Sequence, residues 1–312
     1  MTNKDFETFI DTNDEWIQTR TGIKQRRIID HKLGESTMSL ALEAARKAIA
    51  LAQISPEDIE LIIVGTVTPD HIMPCTANML QKELGAKKAF GFDLQAACSG
   101  FLYGMSIADH FIRLGSVKHA LVIGAESLST LINWKDRGTC VLFGDGAGAV
   151  IMRQTQDQNH SILGTHLYAD GVHCNLLSIP HGYAKMPTYR AEYRHDKHTI
   201  HMEGKEIFKL AVRAMVDSSI ELLNEHHIAA EQVDFFILHQ ANSRIIEMCM
   251  KALNIPPEKT WLNVDKYGNT SAATLPVCLD EAYRSGAIKK GNLVLMATFG
   301  GGVTWASALF RL

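Results

Sequence analysis

The feature that most restricts the fold of this chain is the alternation of short apolar runs with longer amphipathic segments. Continuous apolar runs occur at Leu61–Gly65, Ala120–Gly124 and Phe235–Leu238. Apolar runs of this length are typical of strands that are covered on both faces. Apolar residues at helical spacing predict helices between the runs, the longest over Gly204–Glu225. Buried strands that alternate with helices predict parallel sheets with helices on both sides.

This alternation occurs twice along the chain. Each half has the order helix, strand, helix, strand, helix, strand, strand, and the polar segment Gln154–His160 separates the two halves. We therefore expect a duplicated α/β unit. Its N-terminal half covers residues 1–155 and its C-terminal half covers residues 156–312.

Composition excludes several classes of protein. Of the 312 residues, 46% are hydrophobic and 21% are charged, which is ordinary for a folded globular chain. A formal charge of −3 argues against a general nucleic-acid binder. Six scattered cysteines without a Cys-x-x-Cys pair indicate neither a disulfide framework nor a zinc site. The apolar runs are too short to span a membrane and the N-terminus lacks the apolar core of a signal peptide, so we expect a cytoplasmic protein.

Cys98 is the strongest candidate for a chemically active side chain. It lies where a strand predicted over Ala89–Leu94 meets a helix that starts near Phe101. Unpaired amides and the helix dipole at such a junction favour negative charge and lower the pKa of a thiol. Most buried cysteines are inert packing residues. Here the small residues around Cys98, and two polar partners farther along the chain, favour a nucleophile.

The two partners lie in the second half. His239 ends the apolar run Phe235–Leu238 in His-Gln-Ala-Asn, and Asn269 lies in Gly-Asn-Thr-Ser-Ala-Ala, a turn that opens a helix. Taken singly, His239 fits a hydrogen-bonded core residue and Asn269 fits a helix cap. Together with Cys98 they supply a thiolate and two neutral hydrogen-bond donors. Papain-like proteases also combine Cys, His and Asn, but their local sequences differ.

Glycine-rich and histidine-rich motifs give weaker indications. The run Phe299–Gly302 follows an apolar strand, and its amides could approach a ligand closely as an oxyanion hole. Gly144–Gly148 lacks the Lys-Ser/Thr of a phosphate loop, so we interpret it as a tight structural turn. Three histidines at a spacing of three lie in an irregular stretch over about residues 181–201: His195, His198 and His201. Because no fourth ligand is evident, a solvated surface excursion without metal is favoured.

Basic residues recur at helical spacing on two predicted helices. They are Lys205, Lys209, Arg213, Arg244 and Lys251. Stripes of this kind are usually solvated faces. If both helices border one opening, the stripes would instead bind an acidic partner or phosphates.

Six motifs together resemble the β-ketoacyl-acyl-carrier-protein synthase III family, the condensing enzymes of the thiolase-like superfamily that initiate bacterial fatty-acid synthesis. The motifs are Asp-Glu-Trp-Ile, Ala-Ala-Cys-Ser-Gly-Phe, Phe-Gly-Asp-Gly-Ala-Gly, His-Gln-Ala-Asn, Gly-Asn-Thr-Ser-Ala-Ala and Phe-Gly-Gly-Gly-x-Thr-Trp, and they extend along nearly the whole chain. The resemblance implies an α/β, thiolase-like, five-layered αβαβα fold built from two duplicated halves. It also implies a homodimer.

The resemblance further implies a ping-pong acyl transfer without a cofactor, because acyl-CoA is a substrate. An acyl-CoA, with acetyl-CoA favoured, would acylate Cys98 and release CoA. Malonyl-acyl-carrier protein would then lose CO2, and His239 and Asn269 would stabilise the enolate that attacks the thioester. Amides of Cys98 and Gly301 match the oxyanion hole of the family.

Other residues match family positions with known roles. Positions that hold CoA are matched by Trp16, Arg20, Arg137 and Asn242. Phe299 matches a phenylalanine that packs near the catalytic groups. Positions where the acidic carrier protein docks are matched by Lys209, Arg244 and Lys251.

Two departures from the family leave alternatives open. The family begins with a strand, expected at the centre of the first sheet, and this chain starts after it at Met1. We therefore expect either a start farther upstream or a less stable, less active form. Met73 stands where the family often has a phenylalanine that reaches the neighbouring subunit's acyl pocket, so a longer primer would fit. The alternatives are a related acyltransferase using longer acyl-CoA or serving secondary metabolism, and a truncated inactive paralogue.

Overall fold

The computed structural model describes residues 1–157, 161–180, 182–185 and 197–312. His195 and most of the excursion predicted over residues 181–201 lie outside these ranges. The helices within them are α1 (Asn3–Phe6), α2 (Asp14–Thr21), α3 (Thr37–Ala52), α4 (Thr76–Leu84), α5 (Gly100–Arg113), α6 (Gly204–Glu225), α7 (Ser243–Ala252), α8 (Val264–Tyr267) and α9 (Thr274–Arg284). The strands are β1 (Leu61–Gly65), β2 (Phe90–Leu94), β3 (His119–Ser127), β4 (Asp145–Arg153), β5 (Ile162–Ala169), β6 (Leu177–Ser178), β7 (His201–Met202), β8 (Phe235–Leu238), β9 (Leu293–Gly300) and β10 (Thr304–Arg311).

The strands form two four-stranded sheets and one small two-stranded sheet. The first sheet has the order β2-β1-β3-β4, in which β1 runs parallel to β2 and β3 while β4 is antiparallel to β3. The second sheet has the order β5-β10-β9-β8, in which β8 runs parallel to β9 while β10 is antiparallel to both neighbours. Strands β6 and β7 pair with each other.

Because side chains of the buried strands alternate between the two faces of each sheet, the apolar core is divided into three clusters. On β1, Ile62 packs with α3 and α4, whereas Ile63 packs with α5, α9 and the second sheet. On β8, Phe235 joins the same central layer, whereas Phe236 packs with α6 and α7. The layers are therefore α3 and α4, the first sheet, α5 and α9, the second sheet, then α6 and α7. This order confirms the predicted five-layered αβαβα fold.

The centre of the first sheet is continuous. Strands β1 and β3 pair directly, from Leu61 opposite Ala120 to Gly65 opposite Gly124. In the second half, the first strand β5 lies at the edge of its sheet, beside β10. The expectation that the family's first strand belongs at the centre of the first sheet is therefore wrong. Strands β1 and β3 leave no position between them, and β5, the corresponding first strand of the second half, lies at an edge.

Two local predictions were also wrong. The glycine-rich segment Gly144–Gly148 is largely strand rather than a tight turn, because β4 pairs with β3 from residue 145 onward. At Gly148 an added Cβ would lie 2.8 Å from the Pro276 carbonyl carbon and from the Val277 nitrogen, so glycine here permits close packing of α9 on the sheet. The sequence around Trp261–Val264 also predicts a short strand, but the structure has a single bridge there, between Thr260 and Phe236, followed by α8.

Candidate active site

A cavity of about 490 Å³ is lined by residues from both halves and brings together the three predicted catalytic side chains. Cys98, His239 and Asn269 lie at its buried end, with exposed fractions of 6%, 2% and 7%. The opposite end is lined by aromatic and basic side chains that are partly or fully exposed. The three candidate catalytic residues are thus shielded from solvent, whereas the entrance of the cavity is charged.

Strands of the second half support the turn that carries Cys98. This turn, Ala97–Ser99, joins β2 to α5, and Ala97 has a left-handed φ of 47°. The Thr298 hydroxyl donates to the Cys98 carbonyl at 3.0 Å, and the Thr304 hydroxyl donates to the Ala96 carbonyl at 2.8 Å. An alanine Cβ at Gly300 would lie 2.7 Å from the Cys98 nitrogen. The strained backbone at Ala97 is therefore held by contacts from β9 and β10.

A corresponding turn in the second half is supported by the first half. The turn Ser271–Ala273 precedes α9, and Ser271 has a left-handed φ of 51°. The Asn269 side-chain oxygen accepts a 2.8 Å hydrogen bond from the Ser271 amide, so the Asn269 amino group is the donor left for a ligand. Gly124 of β3 lies directly against the Ala272 carbonyl. Each half therefore buttresses the turn of the other.

His239 is a neutral imidazole held at the end of β8. Its backbone amide donates to Ala297 at 2.9 Å, and the Gln240 side chain next to it bonds to the backbone of Leu238 and Asn263. Burial lowers the pKa of His239 to about 3, so the ring is uncharged near pH 7. Its buried Nδ1 has no hydrogen-bond partner within the part of the chain that the structure describes.

The Cys98 thiol is also neutral. Its pKa is raised to about 12, mainly by burial and also by the charge of Glu126, while Ser271 and the amides of Cys98 and Gly301 act in the opposite direction. The helix N-terminus led us to expect a lowered pKa, but desolvation of a fully buried thiol outweighs that effect. Formation of the nucleophile therefore requires a proton acceptor. The amides of Cys98 and Gly301, which the sequence analysis predicts as oxyanion donors, are close enough to the thiol to lower its pKa.

Glu126, at the end of β3, is a buried acid that the sequence analysis missed. Its carboxylate accepts hydrogen bonds from the Thr68 hydroxyl at 2.7 Å, the Val67 amide at 3.0 Å and the Ser271 hydroxyl at 3.1 Å. Burial is the largest effect on its pKa, which rises to about 7. A glutamate that interrupts an otherwise apolar strand was the available signal, because a buried carboxylate needs several donors.

The entrance contains the predicted CoA residues. Asn13 caps the N-terminus of α2, because its side chain accepts a 2.7 Å hydrogen bond from the Trp16 amide. The Arg137 guanidinium lies 4.7 Å from the Trp16 ring centroid and that of Arg20 lies 5.6 Å away, so two cations flank one indole. Asn242 caps α7 through the Arg244 amide and donates to the Arg20 carbonyl at 3.1 Å. Asn242 therefore ties α7 to α2 as well as lining the cavity.

The two predicted packing residues have different environments. Phe299 is buried and lines the cavity next to the catalytic end. Met73 is 86% exposed, on the loop between β1 and α4, and is not among the described residues that line the cavity of a single chain. Leu177 and Met202, from the two-stranded sheet of β6 and β7, also line the cavity, and the sequence did not predict them as site residues. Their strands are only two residues long, too short for a sequence pattern to indicate.

Basic residues of α6 and α7 border the same opening. This arrangement is the one in which the sequence analysis expects the stripes to bind an acidic partner or phosphates. Lys209 and Arg244 line the entrance, whereas Lys251 is exposed farther along α7. Lys209 also forms a 3.1 Å ion pair with Glu206, and Arg244 lies over the ring of Phe208 at 5.7 Å.

The described residues contain neither a candidate metal site nor a candidate membrane-spanning helix. No group of three or more His, Cys, Asp or Glu side chains could hold a metal ion. No helix within those ranges is both long and apolar enough to cross a membrane.

Comparison with known proteins identifies the family. The family model for 3-oxoacyl-[acyl-carrier-protein] synthase III matches residues 92–171, and the model for its C-terminal part matches residues 223–312. The β-ketoacyl-[acyl-carrier-protein] synthase III of Caldanaerobacter subterraneus is 49% identical over 311 residues, covering 100% of this chain and 93% of that protein. The chain belongs to the 3-oxoacyl-[acyl-carrier-protein] synthase III family. It is therefore a condensing acyltransferase.

Solved structures of synthase III enzymes share the fold. The 3-oxoacyl-[acyl-carrier-protein] synthase III of Aquifex aeolicus superposes with a TM-score of 0.91 at 46% identity, covering 100% of this chain and 95% of that one. A priming β-ketosynthase from the R1128 polyketide pathway superposes with a TM-score of 0.93 at 33% identity, covering 100% and 92%. The same scaffold thus occurs in a protein of secondary metabolism.

Proposed function

We propose that this synthase III family member performs the initiating condensation of bacterial type II fatty-acid synthesis. An acyl group passes from acyl-CoA, with acetyl-CoA favoured, to Cys98 and then to malonyl-acyl-carrier protein. The products are CoA, CO2 and 3-ketoacyl-acyl-carrier protein, and no cofactor takes part. The observation that carries the proposal is the single cavity in which a buried Cys98, His239 and Asn269 meet a basic, aromatic entrance.

In the first half-reaction the Cys98 sulfur attacks the acyl carbon of the CoA thioester. The amides of Cys98 and Gly301, which are close enough to lower the pKa of the thiol, stabilise the oxyanion that develops on the acyl oxygen. The CoA sulfur then leaves with the proton given up by Cys98. The acyl group remains as a Cys98 thioester, shielded from water at the buried end of the cavity.

In the second half-reaction malonyl-acyl-carrier protein loses CO2. The neutral His239 ring and the Asn269 amino group donate hydrogen bonds to the thioester oxygen of the malonyl group, where enolate charge develops. The enolate carbon attacks the Cys98 thioester, and the Cys98 sulfur leaves and regains a proton. Neutral donors suit this step because a buried imidazole with a pKa of about 3 does not become protonated near pH 7.

Binding at the entrance follows from its chemistry. The Trp16 indole offers a stacking face for adenine, and Arg20 and Arg137 beside it offer charge to phosphates. Asn242 lies between this cluster and the catalytic end, where the pantetheine arm would pass. Lys209 and Arg244 at the rim, with Lys251 beyond, offer a basic surface to an acidic carrier protein.

We also infer a cytoplasmic homodimer. The outer edge of β2 is unpaired within the described ranges, and Phe90 at its start is 48% exposed. Ile72 and Met73 are 78% and 86% exposed nearby along the chain. A second copy that pairs with this edge would cover these apolar side chains and bring Met73 against the neighbouring acyl pocket. Sedimentation equilibrium of the protein and of Phe90→Asp tests the dimer.

Intact-protein mass measurement after incubation with acyl-CoAs of increasing chain length tests the proposed reaction. One acetyl increment that is absent in Cys98→Ala, together with 3-ketoacyl product on addition of malonyl-acyl-carrier protein, is the expected result. Absence of any acyl increment from every donor tested would contradict the proposal.

A second candidate is the priming of a longer or specialised chain. It is favoured by Met73, whose flexible side chain would leave more room than phenylalanine, and by the similarity to the R1128 priming β-ketosynthase. Labelling by medium-chain acyl-CoA and not by acetyl-CoA would favour this candidate.

A further inference from the structure

A short series of polar groups leads from the nucleophile into the core of the first half. The Ser271 hydroxyl donates to Glu126 Oε1 at 3.1 Å, and it is close enough to Cys98 to lower the pKa of the thiol. Ser271 is held in this place by its left-handed backbone, with a φ of 51°, and by the bond of its amide to Asn269. A hydroxyl that donates to a carboxylate can at the same time accept from a thiol.

Glu126 is equipped to carry a charge at the end of this series. It has no exposed surface, and its second oxygen, Oε2, accepts from Thr66, Val67 and Thr68. These donors offset part of the desolvation that burial imposes on the ionised form, although burial remains the larger effect.

The groups that face Glu126 from neighbouring elements are neutral. The segment after β1 presents two hydroxyls and one amide, and the turn before α9 presents Ser271. On β4 the residue opposite Glu126 is Gly146, which has no side chain. Among the described residues that line the cavity, the buried titratable groups are Cys98 and the neutral His239. Glu126 is thus coupled to Cys98 through one intervening hydroxyl.

We propose that Glu126 is a positioning residue that acts through Ser271 as the proton acceptor for Cys98, an inference that rests on the proposed acyl transfer. When the thiol attacks, the Cys98 S–H proton moves to Ser271 Oγ and the Ser271 proton moves to Glu126 Oε1. The sulfur lone pair then forms the bond to the acyl carbon. When the carbon–sulfur bond to CoA breaks, the proton returns through Ser271 to the CoA sulfur. The step leaves Glu126 and Ser271 unchanged.

Two rates measured on the same variants test this relay. The first is the rate at which iodoacetamide alkylates Cys98 as a function of pH, and the second is the rate of acylation by acetyl-CoA at pH 7. Glu126→Gln keeps the size of the side chain but removes its charge and its basicity. We expect the alkylation profile to move to lower pH by about one unit, because a negative charge near the thiolate is gone. We expect acylation to slow about 10²-fold, because the proton acceptor is gone.

Ser271→Ala breaks the same series from the other side. It should move the alkylation profile to higher pH, because a donor to the thiolate is lost, and slow acylation as much as Glu126→Gln does. The double variant should be no slower than either single variant, as expected for residues that act as one unit. Ser218→Ala, which removes a buried hydroxyl on α6 bonded to the Met215 carbonyl, is the matched control.

Melting temperatures of all variants separate the relay from a purely structural role. Acylation of Glu126→Gln at the unaltered rate would overturn the relay. A parallel slowing of alkylation and acylation in variants that melt normally would overturn it too. If the unaltered protein accepts no acyl group from any CoA thioester, the proposed function fails, and the alkylation profiles alone still decide whether Glu126 acts on Cys98.

Discussion

The Thr298 hydroxyl donates a 3.0 Å hydrogen bond to the Cys98 carbonyl, so a strand of the second half fixes the nucleophile of the first. Thr298→Val keeps the shape of the side chain and leaves the buried Cys98 carbonyl without this donor. We expect a loss of about 1 to 3 kcal/mol in the free energy of unfolding. We also expect slower acylation of Cys98, because the strained turn is less firmly held. Urea denaturation and acylation rates check both effects, and Thr298→Ser, which retains the hydroxyl, should stay close to the unaltered protein.

Gly300→Ala should displace the nucleophile turn. The added methyl group would lie 2.7 Å from the Cys98 nitrogen and 3.1 Å from its Cβ, too close without movement of one backbone. We expect acylation to fall by at least about 10²-fold, the effect of misplacing a reacting group by about 1 Å. Gly171→Ala, where an added Cβ meets no atom within 4 Å, is the matched control. Normal acylation of Gly300→Ala would show that the turn tolerates the shift.

His239→Gln should separate the two half-reactions. Cys98 would still accept an acyl group, because the oxyanion amides of Cys98 and Gly301 are unaffected. Release of CO2 from malonyl-acyl-carrier protein should fall about 10² to 10³-fold, the usual loss when one donor to a developing oxyanion is misplaced. Acyl labelling by mass and CO2 release from labelled malonyl groups provide the two readouts. His227→Gln, on the exposed surface after α6, should change neither.

Arg137→Ala should weaken binding of acyl-CoA without altering the chemistry at Cys98. Loss of the charge beside Trp16 should raise KM for acyl-CoA about tenfold, which corresponds to about 1.4 kcal/mol, with kcat nearly constant. Arg27→Ala removes a comparable cation, which lies 5.3 Å from the Tyr267 ring centroid and is not among the described residues that line the cavity, and it should leave KM unchanged. A fall in kcat with constant KM in Arg137→Ala would argue against a role in CoA binding.

Glu126 makes stability depend on pH. Its pKa is about 7 in the folded protein against an ordinary value of 4.5, so the folded state binds more protons between these two values. The stabilisation is therefore complete below the lower value and is lost as pH rises through the upper one. Because Glu126→Gln does not titrate, its unfolding free energy relative to the unaltered protein should rise by about 2 to 3 kcal/mol from pH 5 to pH 8. Urea denaturation at both pH values measures this difference.

His239 does not obscure that measurement, although its pKa shifts in the opposite direction, to about 3. Both proteins contain His239, so its contribution cancels in the difference between them. Parallel pH dependence of the two proteins would mean that the Glu126 carboxyl is ionised to the same extent in the folded and unfolded states.

The sequence was sufficient to predict those site residues that lie at the end or the start of a recognisable strand or helix. Cys98, His239 and Asn269 each follow an apolar run or open a helix, and parallel strands bring such ends to one edge of a sheet. Glu126 could not be assigned a role in this way, because its importance depends on a hydrogen bond to Ser271, which lies 145 positions away. The pKa of Cys98 was misjudged for a similar reason, since burial depends on the packing of both halves.

Strand order likewise depends on contacts between distant segments. The alternation of apolar runs and helices predicted nearly every element and the layers, because it reflects local periodicity. It did not reveal that the first strand of a half lies at the sheet edge, since that position depends on the antiparallel pairing of β5 with β10. Met73 remains a prediction about a neighbouring subunit, because its role requires a second chain.

The reciprocal support of the two turns restricts how the sequence of either half can vary. Gly124 of the first half packs against Ala272, and Gly300 of the second half packs against Cys98. Because each turn rests on a glycine of the opposite half, a side chain added at either glycine would displace active-site residues in the other half. Sequence changes at the surface between the halves therefore have to be matched on both sides.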